Sequence, residues 1–533
     1  MTVRALLLTS ALLACSAAAG CQAPPPPAPP APAPTDHAAA AAAQALESRG
    51  DMASAAAAWL RLAQAEPQHH DWVVAAGRCL ARAGRFAEAV DLLQAARSRF
   101  PGSIEIDTVL AKAFLLQAES PDTIAPEVRW ADAAELAEGV LRVQPDDEDC
   151  RLILAQATYL LGDWQRAVRE AEEAVRRHPQ RAGAHVLLGR IASDRFARLL
   201  REHAAGGRDP QAEADLVAAI DVQRQLARRS FERAAELDPQ RAHPHVALGQ
   251  LAAVDHKTDQ VRRHFVDALA IDPDTALDHS VFERELDWRQ RRDAYTTALQ
   301  RYAARPDATG AKRATLRWYV ARALYDGGEW AAARDAFAAA LADNPGATNC
   351  HYYLLLCHWQ LGDHDAATQS AAAYTAVGAA AFADVVRALP SERRAEVGAI
   401  VQFLADRAFR AGNVVASRDL NHVIACLSDS ADAWNNHAFL CRETGQFEAA
   451  LASYRSALEK EPDSPQLLND TAVVLQYHLA TDPNNLQEAR RLYERAIRLA
   501  DEQLAGDRLG PALRQRAEQA RTDARKNLAA LPQ

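Results

Sequence analysis

Two cysteine-histidine pairs, Cys350-His351 and Cys357-His358, are the residues whose types most suggest chemistry in this chain. A thiolate and an imidazole together can bind zinc or serve as a nucleophile and its base. Seven residues of spacing returns both pairs to similar faces of a helix. It also sets them about 10 Å apart along the axis, too far for ligands that must converge at about 2 Å on one ion. The same separation forbids a disulfide between Cys350 and Cys357. Cys79, Cys150, Cys426 and Cys441 are scattered without framework spacing. Cys426 and Cys441 fall on consecutive predicted helices, where a bridge competes with burial as small packing residues. His69-His70, His256, His364 and His478 stand near predicted turns and helix ends, where a histidine is ordinarily solvated. No glycine-rich phosphate loop, HExxH helix, nucleophile elbow or CxxC pair occurs. The expectation is a chain without catalytic, cofactor-binding or metal-binding residues, and not an enzyme.

The charge balance points the same way. Sixty lysines and arginines stand against 70 acidic residues, a net charge of −10, and phosphate binding needs a dense positive face instead. A nucleic-acid partner is not expected, and no small-molecule substrate is evident. At the N-terminus, Arg4 precedes an apolar run from Ala5 to Ala14 and small residues up to Gly20, the layout of an export signal over residues 1–20. That run is too short to span a bilayer. Residues 21–36 continue as a stretch dominated by proline and alanine, an extended spacer of about 40 Å between Gln22 and Pro34.

The elements that would position any site come from self-similarity at a period of 34. Gly50 and Gly84, Pro67 and Pro101, Pro145 and Pro179, Pro239 and Pro273, and Gly328 and Gly362 are each 34 apart. Within a unit a turn glycine is followed by a small residue five later, a bulky one four on, a small one three on, and proline five further. Gly84, Ala89, Leu93, Ala96 and Pro101 meet the pattern, as do Gly328, Ala333, Phe337, Ala340 and Pro345, and Gly445, Ala450, Tyr454, Ala457 and Pro462. A small residue also sits seven before several turns, as at Gly77, Ala155, Ala321 and Ala438, with Gly189 and Gly249 in less regular units. Small residues let two helices cross closely, the bulky one fills the hole to the next hairpin, and the glycine and proline end the helices.

From about residue 38 onward the chain resembles the tetratricopeptide-repeat (TPR) family on these motifs, and Ala18-Ala19-Gly20-Cys21 resembles the bacterial lipobox. The first resemblance implies an all-α, right-handed α-solenoid of helix hairpins; the second implies lipidation at Cys21, with Leu12-Leu13-Ala14-Cys15 as an alternative and plain cleavage as a third reading. Gln22 after the anchor resembles an outer-membrane sorting signal, so an exported, envelope-anchored protein on the periplasmic face is expected. The layout expected is an N-terminal array over 37–274 with inserts near 120–129 and 191–226. A helical connector over 275–311 follows, where the motif lapses and the array splits, then a C-terminal array over 312–500 and a capping helix over 501–533.

In this family the first helix of each hairpin lines the concave surface, so helical phase from each turn locates the partner-facing residues. For the C-terminal array these are Trp318, Arg322 and Tyr325; Tyr352 and Trp359; Gln402, Asp406 and Arg410; Asn435, Phe439 and Arg442; and Asn469, Gln476 and Tyr477. Such an aromatic and amide-rich groove suits an extended or helical peptide or protein partner. The family's carboxylate-clamp subtype needs lysines that are missing here. The leading expectation is an interaction scaffold organising an envelope assembly. The alternatives are an accessory subunit or regulator of one envelope enzyme or secretion complex and, less favoured, an enzyme whose site lies in the 191–226 insert, which has no convergent cluster.

Overall fold

The computed structural model describes residues 34–277, 279–505 and 510–532. Cys15 and Cys21 lie outside them. Two compact units divide the chain after Pro179. The first contains α1 (Pro34–Ser48), α2 (Met52–Ala65), α3 (His70–Arg82), α4 (Phe86–Arg99), α5 (Ile104–Ala118), α6 (Pro126–Val143), α7 (Glu148–Leu160) and α8 (Trp164–Arg177). The second opens with α9 (Ala182–Ala205), α10 (Pro210–Leu237), α11 (Ala242–Val254), α12 (Thr258–Ile271), α13 (His279–Glu285), α14 (Trp288–Ala303), α15 (Gly310–Asp326) and α16 (Trp330–Asp343). It continues with α17 (Asn349–Gln360), α18 (His364–Val377), α19 (Ala379–Arg387), α20 (Ser391–Arg410), α21 (Val414–Ser428) and α22 (Ala431–Glu443), then α23 (Phe447–Lys460), α24 (Pro465–Tyr477), α25 (Pro483–Ala505) and α26 (Pro511–Ala529). No strand occurs among the described residues, and within each unit most helices pack mainly on their neighbours in sequence, α19 packing mainly on α21. The fold is an all-α solenoid of helix hairpins.

Local chemistry sets the hairpins. Gly84 takes φ +78° after α3, and the amide of Arg85 reaches back to the Leu80 carbonyl at 3.0 Å while Gly84 reaches Ala81 at 3.2 Å. That pair of bonds closes the carbonyls a helix end leaves open, and it requires a left-handed residue. Asp163 closes onto Thr158 and Gln446 onto Cys441 in the same way. Second helices stop short of Pro67, Pro101, Pro239, Pro345 and Pro462, which cannot continue them. Asp51, Asp163 and Asp363 cap the N-termini of α2, α8 and α18 with their side chains.

Between the helices of a hairpin, a small residue on the first meets a large one on the second. A methyl placed on Gly77 would stand 2.7 Å from Leu93, one on Gly189 2.9 Å from Phe231, and one on Gly249 closer still to Phe265. Phe265 is wholly buried. Gly249→Ala is therefore expected to destabilise the protein by about 1–3 kcal/mol through overpacking, outweighing the gain of about 1 kcal/mol in helix propensity. At Gly398 in α20 an added methyl meets nothing within 4 Å, so Gly398→Ala is expected to stabilise by about 0.5–1 kcal/mol. Urea unfolding of the two variants should move in opposite directions.

The irregular segments also resolve into helices. The 191–226 insert lengthens α9 and α10 around the turn at Gly206 and Gly207. Over 275–311, where the motif lapses and a helical connector is expected, the chain forms α13 and α14. Phe282 of α13 packs on Phe265 of α12 and Tyr295 of α14, each pair 5.1 Å between ring centroids. One apolar cluster runs through this segment from α11 to α15. The division between compact units falls at Pro179, not in 275–311. An extra helix, α19, stands between hairpins and sinks Phe382 against Tyr374 and Tyr352. Its signals, Gly378 and Pro390, fall outside the 34-residue pattern. The C-terminal α26 packs on α24 and α25. Among the described residues no helix is long and apolar enough to cross a membrane.

Candidate functional site

The first helices of the C-terminal hairpins, α15, α17, α20, α22 and α24, carry the residues singled out by helical phase. On α15, Trp318 is half-buried between Tyr319 and Tyr353, and its indole N–H has no acceptor. Arg322 lays its guanidinium 5.3 Å from the centre of the Tyr353 ring, donates to the Tyr353 hydroxyl, and pairs with Asp326 at 2.8 Å. On α17 and α20, Trp359 forms an aromatic cluster with His364 at 4.8 Å and Phe403 at 5.3 Å, and Phe403 is 45% exposed. Gln402 donates to Asp406 at 3.0 Å, and Gln402, Asp406 and Arg410 are all exposed. Phe439 on α22 is 38% exposed beneath the Arg442 guanidinium, 5.3 Å from its ring centre. Tyr477 on α24 is 53% exposed.

Four of the phase-selected residues are interior instead. Tyr325 is buried, and its hydroxyl accepts from Arg393 of α20. Tyr352 is buried against Phe382, and burial pushes its phenol up. Asn469 and Gln476 are covered by α26: Asn469 accepts from the Asn527 side chain at 3.3 Å, while Gln476 donates to the Asn527 carbonyl at 3.2 Å and accepts from the Tyr493 hydroxyl at 2.7 Å. Their hydrogen bonds are spent on neighbouring helices, so they hold the wall rather than face a partner.

Beside Asn435 lies a polar cavity of about 700 Å³, lined also by Asp432, Asn436, Gln466, Gln503 and Arg516. The Asn435 carboxamide oxygen is buried without a hydrogen-bond donor. An unsatisfied buried acceptor costs about 1–3 kcal/mol, which a donor from a bound chain would recover. The helical phase found Asn435 but not the cavity, because its floor and far wall come from the α23–α24 loop, α25 and α26.

One buried polar cluster escaped sequence reading. His437 of α22 stacks on His422 of α21 at 4.3 Å, bonds Ser453 at 2.9 Å through Nδ1 and meets the Cys441 sulfur at 3.3 Å through Nε2. Cysteine beside histidine has the geometry of a nucleophile and base, but burial pushes the Cys441 thiol up to about 11 and holds His437 down at about 3. The pair is a packed neutral network. Cys426 and Cys441 are both free. So are Cys350 and Cys357, whose thiols burial pushes up to about 12, and their neighbours His351 and His358 are depressed by the same cause.

His437 makes stability depend on pH with a definite sign. Its folded pKa lies below the unfolded value near 6.5, so the unfolded chain binds the extra proton, and stability present above that value is lost as pH falls toward 3. The unfolding free energy should fall by about 2 kcal/mol from pH 7 to pH 5 on this account alone. Denaturant titrations of wild type and His437→Gln at both pH values measure it; the variant should lack that part of the slope.

Residues 40–104, 129–182, 159–195, 321–384 and 441–503 match the tetratricopeptide-repeat family model. The chain carries tetratricopeptide repeats, the class of helical hairpin generally used to bind other proteins. Among curated proteins none matches it. Similar solved structures include Cut9-Hcn1 of the APC/C, 12% identical over 91% of this chain and 96% of that one, with TM-score 0.29. Another is the thermophilic TPR protein TTC0263 of Thermus thermophilus, 16% identical over 43% of this chain and 91% of that one, with TM-score 0.24. A third is the MamA RS-1 double mutant, 15% identical over 37% and 97%, with TM-score 0.27.

Proposed function

We propose that this chain is a protein-binding scaffold of the cell envelope, tethered by lipid at Cys21 and holding a partner segment along the first-helix face of its C-terminal hairpins. The observation that carries the binding reading is the polar cavity of about 700 Å³ beside Asn435, whose side-chain oxygen is buried without a donor; Phe403 and Phe439 are exposed on α20 and α22. An extended chain supplies backbone N–H donors to such an acceptor and side chains to such rings. Loss of partner recovery on substituting Asn435 and Trp359 together, with folding retained, tests it.

The tether is argued from Arg4, the apolar run to Ala14 and the small residues before Cys21, and the proline-rich spacer gives it reach. Cys21→Ser is expected to move most of the protein from the membrane fraction to the soluble fraction. Unchanged fractionation would remove the tether from the proposal without touching the groove.

A further inference from the structure

One cluster lies away from the groove and outside the motif. His245 sits on α11, and His264 and Asp267 sit three residues apart on α12, the facing helix of the same hairpin. Positions three apart share one helix face, and a His-x-x-carboxylate pair opposite a second histidine is a geometry by which helical bundles hold metal ions. One ligand atom from each of the three lies within 4.8 Å of the others. The imidazole rings are 5.9 Å apart at their centroids, and His245 Nδ1 lies 3.9 Å from Asp267 Oδ2.

Two features separate this cluster from ordinary packing. Nδ1 of His245 and Nδ1 of His264 are both buried and both without a hydrogen-bond partner. Each orphaned ring nitrogen costs free energy that a bound cation would offset. Meanwhile the other carboxylate oxygen of Asp267 is held at 2.7 Å by Arg301 of α14, which fixes the carboxylate as an outer-shell partner fixes a metal ligand. Arg305, which also lines the neighbouring cavity, is engaged with Asp307 at 2.9 Å and the Ile271 carbonyl at 2.9 Å.

We propose that His245, His264 and Asp267 form a binding site for a divalent transition metal, zinc being the best fit to two imidazoles and one carboxylate. Tetrahedral bonds of about 2.0–2.2 Å set ligand atoms about 3.4 Å apart, so the three need only close inward by rotation of their side chains. Three protein ligands leave a fourth position for water; a cavity of about 340 Å³ adjoins His245 and Asp267. The site clamps the two helices of the hairpin together, so the ion adds stability to the solenoid next to the long α9–α10 hairpin.

Calorimetric titration of untagged, metal-stripped full-length protein with zinc chloride tests this. One zinc per chain is expected, with a dissociation constant weakened on the order of 100-fold in His264→Ala and at least about tenfold in Asp267→Asn. Zinc should raise the thermal midpoint of wild type, and raise it less in both variants. Failure of wild type to bind one equivalent overturns the site, and this holds whether or not a variant folds. Undiminished binding in folded His264→Ala overturns it equally, since zinc then sits elsewhere.

Discussion

Phe337→Ala is expected to lower the unfolding free energy by about 3–5 kcal/mol, the range for removing a fully buried phenylalanine. Phe337 is wholly inaccessible at the centre of α16 and lies flat against Tyr353, 5.0 Å between centroids and 9° from parallel. Tyr353 in turn carries the Arg322 guanidinium and meets the Trp318 ring at 5.8 Å. The consequence therefore exceeds the lost transfer energy. With the ring gone, the support beneath Tyr353, and through it Trp318 and Arg322, is gone too. In a stack whose repeats touch only neighbours, one weakened interface also lets the array open locally. Denaturant unfolding should show the whole loss, while exposed Phe439→Ala should cost under about 1 kcal/mol. A loss below about 1 kcal/mol for Phe337→Ala would mean that the hairpin does not close around this ring.

Asn435→Ala combined with Trp359→Ala is expected to weaken partner binding by about two orders of magnitude or more. The Asn435 oxygen is already unsatisfied, so its removal takes nothing from the free protein but deletes an acceptor worth about 1–3 kcal/mol to a bound donor. Trp359 presents part of its ring beside exposed Phe403, and an aromatic anchor of this kind typically carries about 2 kcal/mol or more of binding. Stability should change far less than affinity. The contrast with Phe337 is the diagnostic feature: one substitution attacks the interior, the other the face.

The hairpins were legible because each motif residue answers a local demand. A glycine at φ +78° ends α3, a glycine on α11 admits Phe265, and prolines stand just beyond helix ends. The face was half legible. Helical phase selects a side of one helix, but which residues on that side stay open depends on helices that arrive later in sequence. Arg393 of α20 reaches back to Tyr325, and Asn527 of α26 covers Asn469 and Gln476, at separations no 34-residue pattern encodes. Over 275–311 the motif lapses, and Phe282 and Tyr295 fill the core there without the small-residue signature. Nor could spacing reveal the His245, His264 and Asp267 cluster, since it needs two antiparallel helices brought into register.

The central claim is that the open first-helix face of α17, α20 and α22 grips a partner. Its most direct test is quantitative capture from a detergent extract of the native host, comparing full-length wild type with the Asn435→Ala, Trp359→Ala protein at equal loading. The account predicts that a defined set of co-purifying chains falls at least about tenfold with the variant, whose thermal midpoint stays within a few degrees of wild type. Equal recovery by a folded variant would contradict it, and so would a loss of recovery matched by a loss of stability.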